Sequence, residues 1–166
     1  MKSALLFAGA HQTYFVRSAV ETFLASLDCS LAAEEAAFGA SFLPPLSRLL
    51  AGHDVVFVIS PAEGFTPARP ACAKALFERL HVSIGADGEP RGVLRLADGD
   101  IEGYLLESSS QAICLLPDDA RLLPRLLAQA AAPLCEKYGL TRRAVPAAPT
   151  PRFEEELAAE QGPEQP

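Results

Sequence analysis

The chain has 166 residues, enough for one domain with a sizeable core plus a tail, and too few for two ordinary domains. Its 14 basic residues against 21 acidic ones give a net charge of −7, the wrong sign for recognising nucleic acid through its phosphates. Although 49% of the residues are apolar, no uninterrupted apolar run reaches the roughly 18 residues of a membrane span, so no membrane association is expected.

The N-terminal Lys2 followed by an apolar stretch has the look of a signal peptide. The stretch is short and runs into His11, Gln12 and Thr13, so it reads as a first core strand over Ser3 to Ala8. Phe15, Val16, Val20, Phe23, Leu24 and Leu27 then recur at helical spacing, predicting an amphipathic helix between His11 and Leu27. A strand follows near Leu31 to Phe38. Ser41 is placed to cap a second helix carrying Leu46, Leu49 and Leu50, with Pro44 and Pro45 early and Gly52 at its end.

Val55-Val56-Phe57-Val58-Ile59 is the clearest strand. Five consecutive β-branched or aromatic residues imply burial on both faces, as at the centre of a parallel sheet. A loop from Ser60 to Ala68 leads to a helix with Ala73, Leu76, Phe77 and Leu80 on its apolar side. After the turn-rich Gly85-Ala86-Asp87-Gly88, three short β-like runs cover Gly92 to Leu96, Glu102 to Glu107 and Gln111 to Leu116. Asp98-Gly99-Asp100 and Ser108-Ser109-Ser110 separate them at hairpin-compatible length, which adds antiparallel strands to an otherwise parallel sheet.

Pro117 and Asp118-Asp119 read as the start of a last helix, with two carboxylates in its first turn, running to Tyr138 and a Gly139 C-cap. Pro124 and Pro133 are expected to kink or divide it. The domain is thus expected over residues 1–141. Residues 142–166 form a Pro-, Ala- and Glu-rich tail expected to be disordered, with a short helix over Phe153 to Ala159 and an unassigned protein partner. Cys29, Cys72, Cys114 and Cys135 show neither CxxC nor Cys/His ligand spacing, and each reads as a small buried or half-buried thiol in a reducing, cytoplasmic setting.

From Gly99 through Gly103-Tyr104-Leu105-Leu106-Glu107, the serine turn, and Ile113 to Leu116-Pro117, the chain matches without a gap a pattern of glycine, aromatic, apolar residues and Glu, then a strand ending in Leu-Pro. Leu46 to Ile59 adds a helix followed by Asp54 and a hydrophobic strand. In both stretches the chain resembles the molybdopterin-binding, MoaB/Mog-like domain of the competence/damage-inducible CinA family. The resemblance implies a three-layer α/β sandwich with a mostly parallel sheet and an antiparallel hairpin. It also implies a pterin- or nucleotide-like ligand served by Mg²⁺, and a homo-oligomer.

The resemblance assigns the ligand site to Ser60, Glu63, Gly64, Thr66 and Asp118. Where the family has a glycine-rich loop this chain has Ser60-Pro61-Ala62-Glu63-Gly64-Phe65-Thr66-Pro67, and the acidic pair that follows in the family falls near Pro67, Ala68 and Arg69. Pro61 has no amide to donate, Ala62 adds a Cβ, and Asp118 replaces a glycine where an anion would meet a helix N-terminus. Plainer roles stand beside these: Glu63 as a solvated loop residue, Thr66 as a helix-entry cap, Asp118 and Asp119 as complements to a helix dipole. His11, after the first strand, is a lesser ligand candidate.

The substitutions favour a degenerate, non-catalytic domain that holds its ligand weakly or not at all. An active Mg²⁺-dependent nucleotide pyrophosphatase or nucleotidyl transferase is the alternative if they are tolerated, and an interaction domain working through its acidic tail is a third.

Overall fold

The computed structural model describes residues 1–143. The expected tail, apart from Arg142 and Arg143, and the expected helix over Phe153 to Ala159 lie outside the described residues. Strand β1 (Ser3–Ala8) leads through α1 (Thr13–Ser26) to β2 (Leu31–Ala37), then a 3₁₀ turn (Gly39–Phe42) and α2 (Leu43–Gly52). Next come β3 (Val55–Ser60), the two-residue strands β4 (Ala62–Glu63) and β5 (Arg69–Pro70), and α3 (Ala73–Arg79). Strands β6 (Leu94–Asp98), β7 (Ile101–Glu107) and β8 (Ala112–Pro117) precede α4 (Leu123–Tyr138).

Six strands form one sheet in the order β2-β1-β3-β8-β7-β6. The first four are parallel, and β7 and β6 each run antiparallel to their predecessor in that order. β1, β3 and β8 are buried along their whole length because helices cover both faces, so their sequences are continuously apolar rather than alternating. Leu5, Phe7, Phe57, Ile59, Cys114 and Leu116 point to the face packed by α1 and α4. Their neighbours Ala4, Leu6, Val56, Val58, Ile113 and Leu115 point to the face packed by α2 and α3. The result is the three-layer sandwich expected, with Val55 to Ile59 at its centre.

The β7–β8 hairpin pairs Tyr104 with Leu115, Leu105 with Cys114 and Leu106 with Ile113. Gly103 has a steric reason to be glycine: a Cβ there would stand 2.7 Å from the Leu115 carbonyl oxygen. At the outer edge, the Gln129 amide of α4 donates to the Ala97 carbonyl and accepts from the Ala97 N–H, at 2.9 and 3.1 Å. A side chain thereby closes part of an edge that would otherwise offer itself for further pairing.

The elements depart from expectation in four places. Ser41 lies within the 3₁₀ turn and caps nothing; α2 starts at Leu43, after Phe42, with prolines in its first turn. The loop after β3 contains the small antiparallel pair β4–β5, in which Ala62 faces Pro70 and Glu63 faces Arg69. β6 begins at Leu94, two residues later than read. Finally, α4 begins at Leu123, so Asp118 and Asp119 precede it rather than occupying its first turn. Pro124 determines that start, since a proline costs least where its missing N–H would have had no helical partner. Pro133 is inside the helix, which continues to Tyr138 and ends on Gly139 at φ +63°, the left-handed C-cap expected.

Candidate functional site

The carboxyl ends of β1, β3 and β8 lie side by side, and the loops leaving them meet at the edge where open α/β sheets hold ligands. Ser60 ends β3 and is buried. Its carbonyl accepts the Asp118 N–H at 2.8 Å, and its hydroxyl accepts the Cys72 N–H at 3.3 Å, just ahead of α3. It is a structural tie between two loops and a helix entry.

Asp118 sits where the chain leaves β8, and its carboxylate turns toward the β1–α1 loop. It accepts the His11 N–H at 2.5 Å and the Gln12 N–H at 3.2 Å, while the Gln12 side-chain amide donates to the Asp118 carbonyl at 3.4 Å. Gln12 is the residue before the first turn of α1, so a fixed negative charge rests at the positive end of that helix. The sequence reading placed Asp118 at a helix N-terminus; the helix is α1 rather than α4. His11 enters the site through its amide.

Asp119 takes no part in this. Its carboxylate is held by the Arg121 guanidinium at 3.0 Å and by the Arg121 N–H, which keep it below the usual carboxylate range. Of Glu63, Asp118 and Asp119, only Asp118 bonds the β1–α1 loop.

Glu63, Gly64 and Thr66 belong to the β4–β5 projection. Glu63 is exposed and lines a cleft of about 360 Å³ with Gly64, Arg69, Lys74 and Phe77, on the α3 side of the sheet. Gly64 adopts φ +94°, and a Cβ there would stand 3.3 Å from the Pro67 carbonyl, so backbone geometry accounts for this glycine. Thr66 is exposed near the tip beside Phe65, and α3 begins only at Ala73, so Thr66 is not a helix-entry cap. The five expected ligand residues thus divide into two groups: Ser60 and Asp118 at the strand ends, and Glu63, Gly64 and Thr66 on the projection.

The position of the family's acidic pair does not fit a Mg²⁺-bound phosphate. Pro67 and Ala68 carry no side-chain oxygen, and Arg69 brings a guanidinium where a hard cation needs carboxylates. Among the described residues no three His, Cys, Asp or Glu side chains gather as metal ligands.

Arg69 is instead part of a cluster that sequence reasoning missed. Glu102, 3% exposed in β7, accepts from Arg69 Nε and Arg95 Nη1, each at 3.1 Å, and from the buried Tyr104 hydroxyl at 2.8 Å. Arg69 also reaches Glu89 at 2.7 Å. The backbone continues the tie, with Ala68 N–H donating to the Asp100 carbonyl at 2.7 Å and Glu102 N–H to the Ala68 carbonyl at 2.9 Å. Burial first, and then the hydrogen bond to Glu102, push the Tyr104 hydroxyl well above the usual tyrosine value. This network clamps the β4–β5 projection to the antiparallel half of the sheet. The signal available in the sequence was a lone Glu between Ile101 and Gly103-Tyr104, inside an apolar strand.

No family profile matches the chain, and no curated protein matches it. Among solved structures, the crystal structure of CinA from Thermoplasma acidophilum, a protein of unknown function, superposes with a TM-score of 0.59. The match covers 82% of this chain and 98% of that one at 10% sequence identity. The chain therefore has the fold of that CinA protein, a mixed and mostly parallel sheet between two helical layers with an antiparallel hairpin at one side.

Proposed function

We propose that the domain is a CinA-like binding fold whose anion site is closed by its own Asp118, and that it is non-catalytic. The observation carrying this reading is the pair of bonds from the His11 and Gln12 amides to the Asp118 carboxylate. A phosphate entering there would need the same amides. It would also meet a like charge costing on the order of 4 kcal/mol at roughly 4 Å and an effective dielectric of about 20. Each charge-assisted hydrogen bond returns only about 1.5 to 3 kcal/mol. A nucleotide- or pterin-like ligand should therefore bind no tighter than about millimolar.

Calorimetric titration with AMP, ADP-ribose and a pterin phosphate tests this, using the native chain and Asp118→Gly. Binding is expected only in the variant, and no Mg²⁺-dependent hydrolysis of ADP-ribose is expected in either. Micromolar binding by the native chain, weakened by Thr66→Ala, would overturn the reading. So would turnover that disappears on Glu63→Gln.

A second reading, self-association, is favoured by the aromatic rim of this same end. Phe65 is 99% and Phe38 87% exposed, and Tyr14 and Phe15 stand out from the start of α1. These four follow β3, β2 and β1, forming an apolar margin of the kind that marks protein contacts. Sedimentation over a concentration series decides it: a dimer lost on Phe65→Ser with Phe38→Ser supports the homo-oligomer, and a monomer throughout removes it.

A further inference from the structure

The sheet has two edges, and they differ in how they are closed. β6 is partly covered by Gln129, whereas the outer side of β2 has no hydrogen-bond partner among the described residues. In a parallel ladder a residue turns its N–H and C=O to the same side. The Ala37 carbonyl accepts the Gly9 N–H at 2.9 Å, so Ala37, and with it Glu35 two residues earlier, bonds toward β1. Glu34 and Ala36 therefore direct their backbone groups outward, and the extended Phe38 continues the series with its N–H.

This stretch carries little of the usual protection of an edge. Residues 34–38 hold no proline and no lysine, and the irregularity in the pairing with β1 lies at the start of the strand, before Ala33. The two charges present are drawn back onto the domain: Glu34 pairs with Arg17 of α1 at 3.3 Å, and Glu35 with Arg48 of α2 at 2.7 Å. Ala36 is exposed and small. Phe38, on the same face as Glu34 by the alternation of the strand, is 87% exposed.

We propose that β2 pairs antiparallel with β2 of a second copy about a two-fold axis through Ala36, joining two sheets into one. This deepens the self-association reading and rests on it. The side chains select the register. An axis through Glu34 or Glu35 would set like carboxylates directly opposite each other, which is destabilising. An axis through Ala36 sets methyl against methyl, Glu35 against Ala37, and Phe38 against the other copy's Glu34. Each Phe38 ring then lies beside an Arg17–Glu34 pair, whose guanidinium supplies a cation for its face. The two Ala36 residues exchange both backbone bonds, and each Phe38 N–H donates to a Glu34 carbonyl. Backbone groups alone would accept any extended strand. What favours a second copy is that the exposed Phe38 ring and the Arg17–Glu34 pair become each other's complements under the two-fold, in a contact that closes at two copies.

The test combines sedimentation with hydrogen exchange over a concentration series of the full chain. The amides of Glu34, Ala36 and Phe38 should exchange about tenfold or more slowly once the dimer forms, while those of Glu35 and Ala37 are protected at every concentration. Mixed labelling should give a nuclear Overhauser contact between the Glu35 Hα of one molecule and the Ala37 Hα of another. Ala36→Pro removes the amide at the axis without touching a bond to β1, and Ala36→Lys sets two ammonium groups opposite each other while keeping that amide. Each should weaken the dimer by about tenfold or more with its far-UV circular dichroism unchanged. Phe65 lies outside the paired residues, so Phe65→Ser by itself should leave the dimer. A chain that stays monomeric up to about millimolar would overturn the proposal together with self-association itself. A dimer that persists in both Ala36 variants, with the Glu34, Ala36 and Phe38 amides unprotected, would overturn the edge pairing alone and assign the contact to another face.

Discussion

Replacing Glu102 by Leu should remove about 3 kcal/mol of stability, and the structure shows where the loss arises. The Tyr104 hydroxyl is fully buried and donates only to Glu102, so the substitution strands a donor, at about 1 to 3 kcal/mol. The Arg69 side chain is 32% exposed and keeps Glu89, so its lost pair contributes about 1 kcal/mol. Arg95, 56% exposed, contributes about 0.3 kcal/mol at most. The chain has no tryptophan, so urea unfolding is best followed by far-UV circular dichroism. With a slope of about 2 kcal/mol per molar urea, the midpoint should fall by about 1 to 2 M. The decisive comparison is the double variant Glu102→Leu with Tyr104→Phe. Removing both partners leaves no stranded hydroxyl, so it should be more stable than Glu102→Leu alone by at least about 1 kcal/mol. A Glu102→Leu protein within about 0.5 kcal/mol of the native one, or strictly additive effects in the double variant, would refute the clamp.

Two further expectations concern ionisation. Tyr104 is held well above the usual value and Tyr138 is pushed up to about 12, in each case first by burial. Both are stabilising in the neutral form, so their contribution is complete below the unfolded value near 10 and is lost as pH rises beyond it. Stability measured against pH should be flat up to about pH 8, fall first because burial keeps the Cys72 and Cys114 thiols neutral while those of the unfolded chain ionise, and fall more steeply above about pH 10, where Tyr104→Phe should lessen the slope; an unchanged limb above about pH 10 in Tyr104→Phe would contradict the assignment. Burial also pushes the Cys72 thiol up to about 11 and the Cys114 thiol up to about 12. A thiol reagent at pH 8 should therefore modify the half-buried Cys29 and Cys135 well before either buried cysteine, and equal rates at all four would show that the core opens on the labelling timescale.

The architecture was legible where one local rule decided the outcome. Val55 to Ile59 could be read as a central strand because a run buried on both faces has no polar alternation to confuse it. The β7–β8 pairing could be read because the serine turn has hairpin length. The start of α4 was misread because Pro117-Asp118-Asp119 has the composition of a helix N-terminus, and nothing local says that Pro124 marks the actual first turn. The β4–β5 pair was missed because Pro67 and Pro70 suggest a loop, and two-residue strands leave no periodicity to detect. At the site the difficulty was one of partners. Asp118 bonds backbone amides more than a hundred residues upstream, and amides carry no side-chain signature. The Glu102 cluster draws on Arg69, Glu89, Arg95 and Tyr104, which only the folded sheet brings together.

A fold can keep its architecture while its site closes, and the proposed role of Asp118 is one physical form of that idea. The β1–α1 loop presents amides that require an acceptor, and the framework does not depend on whether that acceptor arrives with a ligand or is built into the chain. A carboxylate tethered at the end of β8 is present at an effective concentration of about millimolar or more, so an external anion has to exceed that advantage before it reaches the same donors. On the proposed reading Asp118 governs binding, while the strand register from Val55 to Ser60 against Ala112 to Pro117 is set by β3 and β8. Removing the side chain, as in Asp118→Gly, separates the two contributions: the sheet should persist, and the freed amides should accept an anion from solution.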